Sequence, residues 1–340
     1  MVRRPLLNPV VWQPPAPPSR ARWHTGPNLP AVRILHVNGL GPEDVAVDQD
    51  GRILTGVDGG RIVRISADGK QLTEVADTGG RPLGLDPLDD GTLLVADAYR
   101  GLLRVDPSSA KVELLADRVG DAPIRFCASV AAAPDGTAYF SDASTRFGFH
   151  DWKADILEHS GTGRLLRRDP DGAVDVLLDG LQLANGVALT PDRAAVVVAE
   201  SGAFRLTRYR LADGSHDVLA DNLPGYPFGI SVGTDGLLWV AIASPRSRVL
   251  DQLARRPAVL RQAIWLMPER VHPKPAPAIW VLALDPQTGA IVLDLHGLHH
   301  DFEIVTGVRE YHGTVYLGSV VSRAVAAIEV ESAKLSKLAK

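Results

Sequence analysis

One short unit recurs along this chain: an apolar strand, a tight turn at Asp-Gly or its equivalent, a second apolar strand, and often an acidic residue. It reads PEDVAVDQDGRILTGVD from Pro42, PLGLDPLDDGTLLVAD from Pro82, CASVAAAPDGTAYFSD from Cys127 and ANGVALTPDRAAVVVAE from Ala184. It returns as PFGISVGTDGLLWVAI from Pro227 and VTGVREYHGTVYLGS from Val305. Asp-Gly between two apolar runs is the strongest short-range hairpin signal. Successive hairpins stand roughly 40 to 80 residues apart, which leaves room for two further strands in each unit. Some of those strands are legible, at Arg61 to Ile65, Leu102 to Val105 and Arg164 to Arg167. So many strands need their edges covered, and radial repetition does this by closing the units into a ring. The expectation is an all-β fold, a six-bladed β-propeller. The strand Val32 to Val37, which precedes the first hairpin, should complete the last blade beside Val325 to Ile328.

The ring is expected over residues 31–340. Residues 1–30 are set apart by Pro5, Pro9, Pro14, Pro15, Pro17 and Pro18, and should form a Pro-rich extended arm. Residues 245–278 exceed a blade loop. Val249, Leu250, Leu253, Val259, Leu260, Ala263 and Ile264 include helical spacings, broken at Pro257. This short helical insertion is either two helices on the surface or a lid over a pocket mouth.

Composition narrows the partners. With 45% hydrophobic and 22% charged residues the chain can bury a sizeable core, and a formal charge of −4 gives no electrostatic footprint for nucleic acid. No run approaches the roughly 18 apolar residues of a membrane helix. No apolar segment follows the basic Met1-Val2-Arg3-Arg4, so no signal peptide is expected. The single cysteine, Cys127, excludes an intramolecular disulfide framework and fits a reducing compartment. Its neighbours Phe126 and Ala128 mark it as a small buried hydrophobe rather than a nucleophile. A cytoplasmic protein acting on a small molecule is expected, without nucleic-acid or membrane partners.

The repeat also aligns the blades with one another. Glu43 stands eight residues before the turn glycine Gly51, and the same offset picks out Leu83, Ala128, Asn185 and Phe228, with Val305 or Thr306 in the shorter sixth unit. These residues should enter the innermost strands at one end of the central channel. A polar group there must offset its desolvation, whereas an apolar one merely fills space. Glu43 and Asn185 are therefore the informative members, against plainer readings as a backbone partner and a turn residue.

From about residue 5 to residue 330 the chain resembles the bacterial strictosidine-synthase-like proteins of the SMP-30/gluconolactonase superfamily. The resemblance is carried by GPEDVAVDQDGRILTG, GRPLGLDPLDDGTLLVADAYRGLLRVDP, EHSGTGRLLRRDPDG, LLDGLQLANGVALTPD, NLPGYPFGISVGTDGLLWVA and VTGVREYHGTVYLGS. In the lactonase branch a divalent cation, usually calcium, is held by a glutamate, asparagines and an aspartate. Glu43 and Asn185 match two of those positions. Ala128-Ser129 stands where relatives carry an Asp/Asn pair, and Pro227-Phe228-Gly229 where they read Pro-Asp-Asn. The resemblance thus implies no cofactor, with Glu43 and Asn185 left as residual calcium positions. Plant strictosidine synthases use a glutamate of the sixth blade as base. Gapless alignment places Thr306 there, and Glu303 reaches the position only across a gap.

The hairpin ends add Asp58, Asp97, Asp142 and Glu200, most of them expected to bond backbone between blades. Tyr99, Tyr226, Phe228 and the group His296, His299 and His300 add aromatic and titratable side chains. His299-His300-Asp301 resembles a metal cluster on paper, yet adjacent strand residues face opposite sides. A solvated loop is expected, from which one histidine, such as His300, could act as acid or base. The resulting expectation is a metal-independent enzyme of small-molecule biosynthesis. It would catalyse acid/base cyclisation or condensation of an apolar or aromatic substrate, using carboxylates among Glu43, Asp142, Glu200 and Glu303. Tyr99, Ala128, Asn185, Tyr226, Phe228, Thr306 and His300 are the candidate binding residues. Two alternatives stand beside it, a metal-dependent lactonase or esterase and a non-catalytic binding propeller.

Overall fold

The hairpins form where the turn chemistry places them. In a computed structural model of the chain, which describes residues 4–18 and 29–330, Gly51, Gly91, Gly136 and Gly236 close four of the hairpins at φ between 74° and 89°. Glycine meets that conformation without a Cβ clash. Arg193, at the glycine position of the fourth hairpin, adopts φ 57° all the same. There the Thr190 hydroxyl donates to Asp192 Oδ1 (2.7 Å) and accepts from the Ala195 N–H (3.0 Å), bonds that help offset the strain.

Among the described residues the strands assemble into six four-stranded antiparallel sheets and one two-stranded ribbon, Arg118–Val119 against Ala122–Pro123. The six sheets are the blades of a propeller. In the last one, Val32–His36 is the outermost strand and pairs with Ala324–Glu329, from Val32 opposite Ile328 to His36 opposite Ala324. The ring is latched as the repeat predicts.

Six of the buried apolar clusters lie one in each gap between neighbouring blades. This explains why the strands read as unbroken apolar runs. In Leu238–Pro245, Leu238, Val240 and Ile242 face the fourth blade while Trp239 and Ala241 face the sixth. Strand side chains alternate between faces, so both faces must be apolar when both are covered. Cys127 is fully buried between the second and third blades, and burial pushes its thiol well above the usual range. It is a packing residue.

Two blades carry long excursions between their second and third strands. In the third blade, helix α1 (Trp152–Glu158) follows a 3-10 turn at Phe149–Asp151. In the fifth, α2 (Arg248–Ala254) and α3 (Ala258–Leu266) lead to a 3-10 turn at Glu269–Val271. The two helices expected around Pro257 are α2 and α3; α1 was not anticipated. The Ser247 hydroxyl caps α2 by accepting from the Leu250 N–H. No helix among the described residues is long and apolar enough to cross a membrane.

Residues 4–18 have neither helix nor strand and run along these helices. The Val10 N–H donates to Glu158 O (2.8 Å) and the Trp12 N–H to Ala254 O (3.2 Å). In return Trp265 donates to Pro5 O, Gln262 to Leu7 O and Arg261 to Val10 O, at 2.8 to 3.0 Å. Leu7, Phe147, Ala154, Leu157 and Trp265 form one small core between the segment and the helices. Of the arm expected over residues 1–30, positions 1–3 and 19–28 lie outside the described residues, as do 331–340 at the expected end of the ring.

Candidate active site

The inner strands meet closely at the ring position because the following residue is often glycine. A Cβ on Gly186 would lie 2.4 Å from Phe228 O and the Ile230 nitrogen, and one on Gly307 would lie 2.5 Å from Asp44 Cα and Glu43 O. Gly186 is therefore a strand residue at a blade seam, which removes the turn reading of Asn185. The same register makes Thr306, followed by Gly307, the ring residue of the sixth blade. Its hydroxyl donates to Glu43 O at 2.9 Å, joining the last blade to the first.

Glu43, Asn185, Phe228 and Thr306 line one cavity of about 340 Å³ at the channel mouth. Leu83 and Ala128, the other two ring residues, are buried beside it with Phe126 and Leu183, in an apolar cluster against which Phe149 and Trp152 pack. Ala128 thus shapes the wall from behind. Tyr226 lines the cavity and packs edge-on against Phe204, centroids 4.9 Å apart; burial pushes its hydroxyl far up. The roof comes from the excursions: Trp152 and Ile156 of α1, Leu250 of α2, and His272 to Pro275 beyond α3. Ser247, Leu250 and His272 to Pro275 of the 245–278 insertion thus line the cavity together with α1. Lys153 and Lys274 stand at the rim, the first bound to Glu269 at 2.7 Å.

Among the described residues, Glu43 is the one carboxylate lining this cavity. Its side chain is 8% exposed, and Oε2 has no hydrogen-bond partner. Burial raises its carboxyl to about 7, against the pull of Arg81 and with the push of Asp44. Arg81 lies just outside the cavity lining. One of its guanidinium nitrogens donates to Gly41 O (2.8 Å) and stands 3.6 Å from Glu43 Oε2, too far for a hydrogen bond but close enough for charge attraction. The guanidinium also faces the Phe149 ring at 5.6 Å.

The remaining candidates lie elsewhere. Asp142 is fully buried, accepts from the Phe126 N–H at 2.9 Å, and is paired with Arg164 at 2.6 Å, its cross-strand neighbour. Glu200 is likewise buried and holds Arg205, opposite it on the next strand, at 2.7 Å, together with the Thr207 hydroxyl and the Gln182 N–H. Asp97 accepts from the N–H groups of Arg81, Tyr99 and Arg100. These carboxylates pin strand ends and none lines the cavity. Glu303 is exposed; its carbonyl accepts from Ser319. Tyr99 is half exposed, with its hydroxyl 2.9 Å from His150 Nε2. His300 is exposed, with Nε2 2.8 Å from Asp301 Oδ2. The strand argument against the His299-His300-Asp301 group does not apply, because it sits in a loop where one ligand atom from each comes within 4.8 Å of the others. It remains away from the cavity.

Reasoning from the repeat missed Arg81 and the wall supplied by Phe126, Phe149, Trp152 and Ile156. The signal for α1 was present as extra length between the third and fourth hairpins, with Trp152 and Ile156 at helical spacing. Arg81 carried no signal, since it lies one residue before the repeated unit and nothing marks it as buried.

Residues 129–215 match the family model described as strictosidine synthase, and residues 27–65 the one described as strictosidine synthase-like, N-terminal. The adipocyte plasma membrane-associated protein of Salmo salar is 33% identical over 316 residues, covering 85% of this chain and 75% of that one. The protein called strictosidine synthase-like 6 of Arabidopsis thaliana is 36% identical over 229 residues, covering 66% of this chain and 61% of its own length. Among solved structures, a gluconolactonase from Xanthomonas campestris superposes with a TM-score of 0.65 at 16% identity, over 96% of this chain and 99% of that one. A calcium-binding regucalcin from Agrobacterium tumefaciens gives 0.63 at 14%, over 89% and 94%. At such identities the likeness is one of fold. The sequence relatives go further, and with them the chain belongs to the strictosidine synthase-like family.

Proposed function

We propose that this protein is a metal-independent enzyme that carries out acid/base chemistry, a cyclisation or condensation, on an apolar or aromatic small molecule held in the capped cavity. The observation that carries the reading is Glu43: a buried carboxylate at the base of an apolar cavity, with Oε2 unpartnered. A group whose carboxyl titrates near neutrality both accepts and returns a proton efficiently. Phe228, Trp152 and Phe126 supply flat apolar faces for the substrate, and Asn185 an amide to orient it. Asp142, Glu200 and Glu303 take no part in this scheme, since none reaches the cavity.

The test begins with a thermal-shift screen of apolar and aromatic small molecules, followed by mass-spectrometric detection of turnover. Glu43→Gln should melt earlier, because Arg81 keeps its charge, yet retain the ring and the ligand. Below its melting temperature it should lose roughly 10²–10⁴ in rate, the range for a positioned acid–base group. Full activity in the variant would remove Glu43 from the chemistry. Turnover abolished by a chelator would replace this reading with a metal-dependent lactonase, and tight ligands without turnover would replace it with a binding propeller.

A further inference from the structure

We infer that Arg81 is the resident cation of this pocket: its guanidinium takes the place beside the ring glutamate that a divalent ion would need, and it closes the site to such ions. A hard divalent cation calls for about six to eight oxygen ligands. At this ring the side chains offer the carboxylate of Glu43, the amide of Asn185 and the hydroxyl of Thr306, while Ala128 is buried among apolar neighbours and Phe228 presents a ring. The nearby main-chain oxygens are already turned to protein donors. Glu43 O accepts from Thr306, Asn185 O from Ser141, Pro227 O from Ser201 and Gly41 O from Arg81 itself, all at 2.5 to 2.9 Å. With Arg81 in place this donor set holds no divalent ion; without the guanidinium, Glu43 and Asn185 could hold one only weakly, with water completing the shell.

The fold instead encloses the guanidinium, which donates from Nη2 to Gly41 O while its buried Nη1 has no hydrogen-bond partner. The Arg81 side chain is 3% exposed, and its backbone N–H is held by Asp97 at 3.0 Å. A Cβ on Gly41 would come within 2.8 Å of the guanidinium nitrogen, and φ +65° there also favours glycine. A Cβ on Gly80 would lie 2.3 Å from the Asp97 carboxylate that anchors the arginine. Gly41 thus leaves the room this side chain uses, and Gly80 the room of the carboxylate that holds its backbone. Deeper along the axis Arg309 stands 3.4 Å from Asp86, so the channel supplies a second internal cation of its own. A buried charge left without its partner is strongly unfavourable, and Arg81 meets this need for Glu43 from within the chain.

This inference rests on the metal-independent reading of the cavity, and its test uses no substrate, so that it stands or fails apart from the proposed chemistry. Calcium chloride is titrated by calorimetry, and melting temperatures are recorded with and without calcium, for the unmodified protein, Arg81→Met, Arg81→Lys, Glu43→Gln and the double variant Arg81→Met/Glu43→Gln. The unmodified protein and Arg81→Lys should show no stoichiometric calcium. Arg81→Met should gain a calcium-dependent rise of about 2–4 °C at millimolar concentration, as expected when an ion binds only the native state. Adding Glu43→Gln should abolish that rise. Without calcium the double variant should melt no lower than Glu43→Gln alone, because removing Arg81 then removes an unpaired charge. One calcium per chain at micromolar affinity in the unmodified protein overturns the inference. An Arg81→Met variant that ignores calcium also overturns it, since Arg81 would then not be what excludes the ion. Should Arg81→Met alone fail to fold, the comparison of the double variant with Glu43→Gln decides: a much lower melting temperature in the double overturns the pairing.

Discussion

The walls of the cavity and its roof are held by different physics. Each wall strand is hydrogen-bonded within its blade and buried on both faces, with a cluster of side chains in every gap around the ring. The roof is three helices of 7, 7 and 9 residues, each far below the length at which a helix stands alone. They are joined by a segment without secondary structure and by one small core. Arg261, 2% exposed, links the carbonyls of Leu157 in α1 and Val10 in the segment. Trp12 stacks on His159 at 3.9 Å, where burial and the charges of Arg261 and Arg205 hold the imidazole down to about 3 and therefore neutral. The roof is tied both to the ring and to residues 4–18.

The largest expected effect breaks the ring. Trp239 is fully buried between the fifth and sixth blades, and its indole N–H donates to Asp235 at 3.1 Å. Trp239→Ala leaves a large cavity and should cost about 3–5 kcal/mol of global stability in urea unfolding followed by circular dichroism. A loss below about 1 kcal/mol would mean that the gaps between blades are not what holds the ring.

The roof should respond to the segment while the ring does not. Removing residues 1–18 takes away Leu7 from the small core and the carbonyls that receive Trp265, Gln262 and Arg261. Hydrogen exchange at the amides of α1 and α3 should quicken about 100-fold, which corresponds to roughly 2.8 kcal/mol at 1.4 kcal/mol per decade. Exchange in the inner strands should stay unchanged. Equal acceleration in both regions would show that roof and ring open as one unit.

The same division governs what could be read from the amino-acid order. The repeat gave the blades, the latch and the ring position, because unbroken apolar runs and Asp-Gly turns are local signals repeated along the chain. From them Glu43, Asn185, Phe228 and Thr306 were brought to one cavity. The roof was half legible: Pro257 and its flanking apolar residues marked two helices, but α1 is a single unrepeated element whose neighbours come from residues 4–18 and 248–266. Asp142 and Glu200 were misplaced as catalytic candidates because their partners, Arg164 and Arg205, lie across a strand pairing that residue type does not display. Arg81 was missed for a related reason. Its burial follows from Gly41, far away in sequence, making room for it.

The smallest effect sharpens the comparison from inside the roof. Asp155 on α1 is 2% exposed, its Oδ2 has no hydrogen-bond partner, and burial raises its carboxyl to about 6, against a hydrogen bond from Ser144 and with the push of Glu158. Glu158 is itself tied to Arg146 at 2.6 Å and to the Asn8 N–H at 2.6 Å, so Asp155 gains no cation from that side. The folded roof therefore holds this proton more tightly than the open chain does. Stability from Asp155 grows as pH falls through 6 and is complete below the ordinary carboxylate range; it is lost as pH rises through 6. Asp155→Asn keeps the shape and removes the titration. At pH 8 the variant should close the roof more firmly than the unmodified protein by about 2 kcal/mol, a gain that shrinks to nothing near pH 4. Exchange of the α1 amides, corrected for its intrinsic pH dependence, reads this directly. An advantage that stays constant from pH 4 to 8 would mean that packing rather than charge sets the difference, and one that appears in the ring strands would undo the separation of roof from ring.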